Sequence, residues 1–91
     1  MTRLAVLSVR DTVADTFGRP FYAPNEASGV RSVRSEVANP QAGPLHEHPD
    51  DFQLFHLGWF DDQTAVFELF DHPTLLVRLS HLIDAAVSPA G

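Results

Sequence analysis

The chain alternates short apolar runs with polar breaks, and each run has a period that names its element. Leu4-Ala5-Val6-Leu7-Ser8-Val9 is nearly continuous in apolar residues and too short for a helix, which predicts a buried strand. Arg10 to Thr16 is polar and turn-like. Phe17-Gly18-Arg19-Pro20-Phe21-Tyr22-Ala23 sets aromatics between Gly and Pro and predicts a short edge strand over about residues 19–23. Pro24-Asn25-Glu26 has the chemistry of a helix start, with Asn25 as N-cap and Glu26 at the positive end of the dipole. Ala27, Val30, Val33 and Val37 then recur every three or four residues, while Ser28, Arg31, Arg34 and Ser35 fall on the opposite side, the mark of an amphipathic helix. Asn39-Pro40 ends it, and residues 41–44 are expected to be loop.

From Phe52 to Phe60 the two-residue period of a strand puts Phe52, Leu54, His56, Gly58 and Phe60 on one face and Gln53, Phe55, Leu57 and Trp59 on the other. Both sets are mostly apolar, so this strand should be central, with helices on one side and a second layer or a partner subunit on the other. Asp61-Asp62-Gln63-Thr64 is a turn and residues 65–70 resume the extended pattern, so 52–70 reads as a β-hairpin. Leu75, Leu76, Leu79, Leu82, Ile83 and Ala86 form a helical stripe, and a last helix is expected over about residues 74–87. The fold class is therefore α+β: residues 1–91 as a single domain, with a small antiparallel sheet of three to four strands and two amphipathic helices.

Composition narrows the chemistry. The chain has 91 residues and no cysteine, which excludes disulfides, thiolate nucleophiles and Cys-based zinc sites. A domain this small buries only roughly 60–65% of the surface its unfolded chain exposes, so seven Phe and a Trp favour a homo-oligomer. The first residues are too short an apolar run for a signal peptide or membrane span, so an intracellular protein with no membrane partner is expected. Net charge is −6. Residues 1–44 hold five arginines against four acids, whereas residues 45–91 hold Arg78 against eight, so a polyanion would have to meet the first half.

The stretch "HEHPDDFQLFHLGWFDD", residues 46–62, raises the question of a site. His46 and His48, even with His56 or His72, lack the four fixed ligands of a closed zinc centre, and neighbouring acids in extended chain point to opposite faces and cannot share a proton. The reading is architectural: His48-Pro49-Asp50-Asp51 launches a strand and Asp61-Asp62 turns it. No phosphate loop, Ser-His-Asp order or nucleotide signature is present, so no enzyme, catalytic residue, metal or cofactor is expected. For DNA there remain Arg10, Arg19, Arg31 and Arg34 as phosphate contacts and Phe21 and Tyr22, with Phe17 nearby, as rings on which unpaired bases stack. The competing reading makes Phe21 and Tyr22 core and the helix arginines an ordinary solvated face.

Pro20-Phe21 with Pro24-Asn25, then Asn39-Pro40, His48-Pro49-Asp50-Asp51-Phe52 and Gly58-Trp59-Phe60-Asp61 form an ordered set over residues 4 to about 66. In that order the chain resembles the small nonstructural protein of gokushovirus-like microviruses, which are single-stranded DNA bacteriophages. The resemblance implies a non-enzymatic protein in the host cytoplasm that binds viral DNA, single-stranded by preference, as replication passes to single-strand packaging. The chain departs from that family in having Ala65 where a glycine is usual, in its lack of lysine and in its C-terminal helix. An acidic second half with an added helix makes a viral or host protein partner the alternative, with the chain as an assembly factor.

Overall fold

β1 (Arg3–Asp11) grows from the first apolar run in the computed structural model, which describes residues 3–86. It lies antiparallel to β4 (Phe52–Asp61) along its whole length, and β4 in turn pairs with β5 (Val66–Arg78). The outer edge of β1 is covered by two fragments, β2 (Thr16–Phe17) and β3 (Phe21–Ala23), so the sheet runs β2-β1-β4-β5 with β3 beside β2. Gly18-Arg19-Pro20 divides β2 from β3, as expected where one residue cannot donate to a ladder and another has no side chain to pack.

The two hairpins share one turn design. Asp11 Oδ1 accepts the amides of Val13 and Ala14, both at 3.0 Å, and Asp61 Oδ1 accepts those of Gln63 and Thr64 at 2.9 and 3.3 Å. Each turn ends on a left-handed residue, Asp15 (φ 59°) and Ala65 (φ 62°). The expected hairpin and its aspartate turn are thus present, and the second strand runs longer than expected.

α1 (Glu26–Ala38) starts as its sequence indicates, with Asn25 Oδ1 accepting the Ser28 amide at 2.8 Å. It lies flat on β1 because residue 29 is glycine: a Cβ there would collide with the Leu7 side chain. Beyond Asn39 the expected loop is instead a 3-10 turn (Pro40–Ala42) and a one-turn helix, α2 (Pro44–Glu47). There His46 Nδ1 donates to the Val37 carbonyl at 2.7 Å and so caps the end of α1. A second 3-10 turn, Pro49–Asp51, leads into β4, and Thr12 donates to the Asp51 carbonyl from both its amide and its hydroxyl at 2.9 Å.

The last helix corrects its expected bounds. Thr74–Arg78 continues β5, and α3 spans Leu79–Ala86, because Thr74, Leu75 and Val77 stay in register with β4 and the apolar stripe only turns helical at Leu79. Its expected end at Val87 lies outside the described residues. Leu79 and Leu82 of α3 join Val33 and Val37 of α1, Ala5 and Leu7 of β1 and Leu54 of β4 in one core on a single side of the sheet. The protein is a small single-domain α+β fold: a curled antiparallel sheet with three helices.

The expected faces of β4 also need correcting. Val6 pairs with Gly58 but Leu7 pairs with His56, so Leu57 is a bulge and the alternation flips across it. Phe52, Leu54, His56 and Trp59 face the helices; Gln53, Phe55, Gly58 and Phe60 face the other way. Gly58 sits at φ 154°, and a Cβ on it would meet the Glu68 carbonyl oxygen and stand 2.6 Å from the Leu69 Cα, so only glycine fits where β5 crosses the bulge.

Candidate nucleic-acid interface on the uncovered sheet face

Antiparallel partners share a face, so the strand registers define what the sheet shows on the side away from the core. One row crosses all four strands as Phe17, Arg10, Gln53 and Arg78. The next is Ser8, Phe55 and Leu75; then come Tyr22, Val6, Gly58 and Leu69, and last Leu4, Phe60 and Phe67. Among the described residues no helix lies over this face. No register position on it carries a carboxylate, although the chain has twice as many acids as bases.

Rings dominate the surface. Tyr22 and Phe60 meet at 5.7 Å between centroids, Phe60 and Phe67 at 4.7 Å, and Phe17 meets Phe55 edge-on at 5.2 Å. These pairs flank Val6 and Ser8, which are buried although they point away from the helices. Phe17, Tyr22 and Phe67 themselves stay 45%, 49% and 49% exposed. A ring held by its neighbours but half open to water is a stacking platform that needs no ordering when a flat apolar ligand arrives.

Arg10 rises beside this platform, its Cζ 6.0 Å from the Phe17 ring, and its guanidinium is ion-paired to Asp15 from the β1–β2 turn. The Asp15 carboxylate is 80% exposed, so this pair is one that a phosphate can displace at small cost. Arg78 is exposed at the far end of the same row, with Gln53 between the two arginines.

The six residues singled out from sequence for DNA do not form one surface. Arg10 and Tyr22 lie on the uncovered face. Phe21, next to Tyr22, points to the other side and packs on the core. Arg31 and Arg34 are exposed on α1, across the core from the rings. Arg19 is exposed in the break before β3 and lines a cleft of ≈ 300 Å³ with Phe21, Val33 and Leu45. Phe55, Phe60, Phe67, Gln53 and Arg78 were missed. Alternation alone points Gln53 and Phe55 one way; Phe60 and Phe67 join them only through the bulge at Leu57.

The histidine-rich stretch is structural where its contacts are defined. His56 is buried against Trp59 and Phe70, each at 4.8 Å, and its Nε2–H donates to the Gly58 carbonyl at 2.8 Å across the bulge. Its Nδ1 stands 4.0 Å from Glu26 of α1. Among the described residues no three of His, Asp and Glu gather as metal ligands, and no helix is long and apolar enough to cross a membrane.

No curated protein and no solved structure matches the chain. A family model does, described as Phage ORF5 protein, over residues 4–82. That span runs from Leu4 in β1 to the buried Leu82 of α3 and takes in every strand of the uncovered face except the first residue of β1, so the chain belongs to the Phage ORF5 protein family.

Proposed function

We propose that this phage protein is a non-enzymatic binder of single-stranded DNA that takes unpaired bases onto the rings of the uncovered sheet face. The observation that carries the reading is the set of register positions on this face, none of them a carboxylate, with Phe17, Tyr22 and Phe67 half exposed between Arg10, which is paired to the exposed Asp15, and Arg78. Magnitudes favour stacking over charge. Each base–ring stack is worth about 1–3 kcal/mol, so three rings supply roughly 3–9 kcal/mol, whereas two arginines facing a chain of net charge −6 give a modest electrostatic share. Duplex DNA keeps its base faces stacked inside and offers this platform only phosphates, so the single strand is preferred. Membership in a phage family supports the viral setting. The likeness to gokushovirus-like nonstructural proteins carries it further, to replication and the switch to single-strand packaging in the bacterial cytoplasm.

The test is a salt titration by fluorescence anisotropy with an oligothymidine and a duplex of equal length. The single strand is expected to bind more tightly, with log K falling against log salt by about 0.7 for each phosphate contact, hence a slope near −1.4 for two arginines. No binding at low salt, or equal binding of duplex and single strand, overturns the proposal.

A further inference from the structure

Among the described residues, five of the eight large apolar side chains that stand exposed belong to β5: Val66, Phe67, Leu69, Phe70 and Leu75. They lie on both of its faces, so the exposure belongs to the strand as a whole. Its outer edge is unpaired, and between Leu69 and Thr74 four residues oppose Leu57 alone, leaving the main chain of residues 70–73 without register partners in β4. The opposite edge of the sheet is blunted by fragments of two and three residues, whereas β5 is 13 residues long. Such an edge is a template for another strand, and Glu68, Asp71 and Pro73 along it restrict the registers in which a strand can be added. The molecule is also drawn out, with a radius of gyration of 13.8 Å against about 12 Å for a compact chain of this length.

We infer that the outer edge of β5 pairs antiparallel with β5 of a second copy, about a two-fold axis through Phe70. Antiparallel partners must share a face, so only registers that place one residue opposite itself are open. An axis at Glu68 or Asp71 sets like charges against each other, and an axis at Leu69 leaves both acids facing rings, Glu68 opposite Phe70 and Asp71 opposite Phe67, whereas an axis at Phe70 leaves only Asp71 facing an apolar residue, Leu69. With Phe70 on the axis, Glu68 of each copy lies opposite His72 of the other, and Val66 opposite Thr74. Hydrogen-bonded and non-bonded pairs alternate along the ladder, so with Phe70 in a bonded pair Pro73 falls in a non-bonded one, where its missing N–H costs nothing. The Glu68 carboxylate thus stands opposite an imidazole, a group able to donate a hydrogen bond to it, on a second copy of this chain. The two-fold axis stands perpendicular to the sheet, so both uncovered faces point the same way and the ring platform doubles in length.

The experiment needs no nucleic acid, so its outcome is separate from that of the DNA reading. Light scattering on the intact chain is expected to give twice the monomer mass at high concentration. His72→Lys, which puts a full positive charge opposite Glu68 twice per dimer, is expected to tighten the dimer about fivefold, and Glu68→Lys combined with His72→Lys to weaken it by a similar factor. Because the chain has no cysteine, Phe70→Cys is expected to form an intermolecular disulfide on mild oxidation much faster than Leu75→Cys. A monomer at every concentration, a dimer indifferent to charge at positions 68 and 72, or equal cross-linking at positions 70 and 75 overturns the inference.

Discussion

On the helix side of the sheet Leu7, Leu54 and Leu79 are wholly buried, while on the other side Phe17, Tyr22 and Phe67 keep almost half their surface in water. Both faces use the same strands and both are rich in apolar residues. What differs is the cover: α1 and α3 close the first face, whereas among the described residues edge-on and tilted ring contacts shelter the second. Large apolar groups left open on a rigid sheet contribute little to folding and are available to a ligand. The two faces should therefore separate under mutation, one changing stability and the other changing binding.

The largest expected effect is on the closed face. Leu54→Ala leaves a cavity among Leu7, Leu79 and Val37 and is expected to cost about 2–5 kcal/mol in urea unfolding. Phe67→Ala on the open face is expected to leave stability within about 1 kcal/mol, since it loses one aromatic pair. It should nonetheless weaken oligothymidine binding by about 1–3 kcal/mol. Arg78→Ala is expected to flatten the salt slope by about 0.7, while Arg31→Ala with Arg34→Ala, on the helix side, leaves the slope unchanged. Loss of binding in that double variant with no loss in Arg78→Ala would reverse the assignment of faces. The smallest effect is expected from Ala65→Gly, which relieves a left-handed alanine at the hairpin turn and should stabilise by about 1 kcal/mol without touching DNA affinity.

Most of the elements could be read from the chain because their signals are local. Asn25 caps α1 and Asp61 turns the hairpin through bonds to amides two or three residues away, and Val33 and Val37 follow the helical period into the core. The parts that could not be read depend on partners far along the chain. Thr74 to Arg78 carries a helical stripe, yet pairing with β4 holds it extended, so tertiary pairing overrides local pattern. The bulge at Leu57 has no mark beyond Gly58, and it alone decides that Phe60 joins Phe55 on the open face. Grouping arginines by sequence half likewise hid the row that joins Arg10 to Arg78, residues brought together only because β1 and β5 flank the same strand. Of the strand carboxylates in the acidic second half, Glu68 and Asp61 align with the helix side, at Trp59 and Arg3, and Asp71 lies in the segment of β5 that has no register partner in β4.

The neighbours Phe21 and Tyr22 offer the most direct test, because one ring lies in the closed core and the other on the open face. Ultraviolet cross-linking of oligothymidine followed by mass spectrometry of the peptides is expected to place the nucleotide on Tyr22, Phe17 or Phe67. Cross-links confined to Phe21, Trp59 or α1 would contradict the assignment of the nucleic-acid surface to the uncovered face of the sheet.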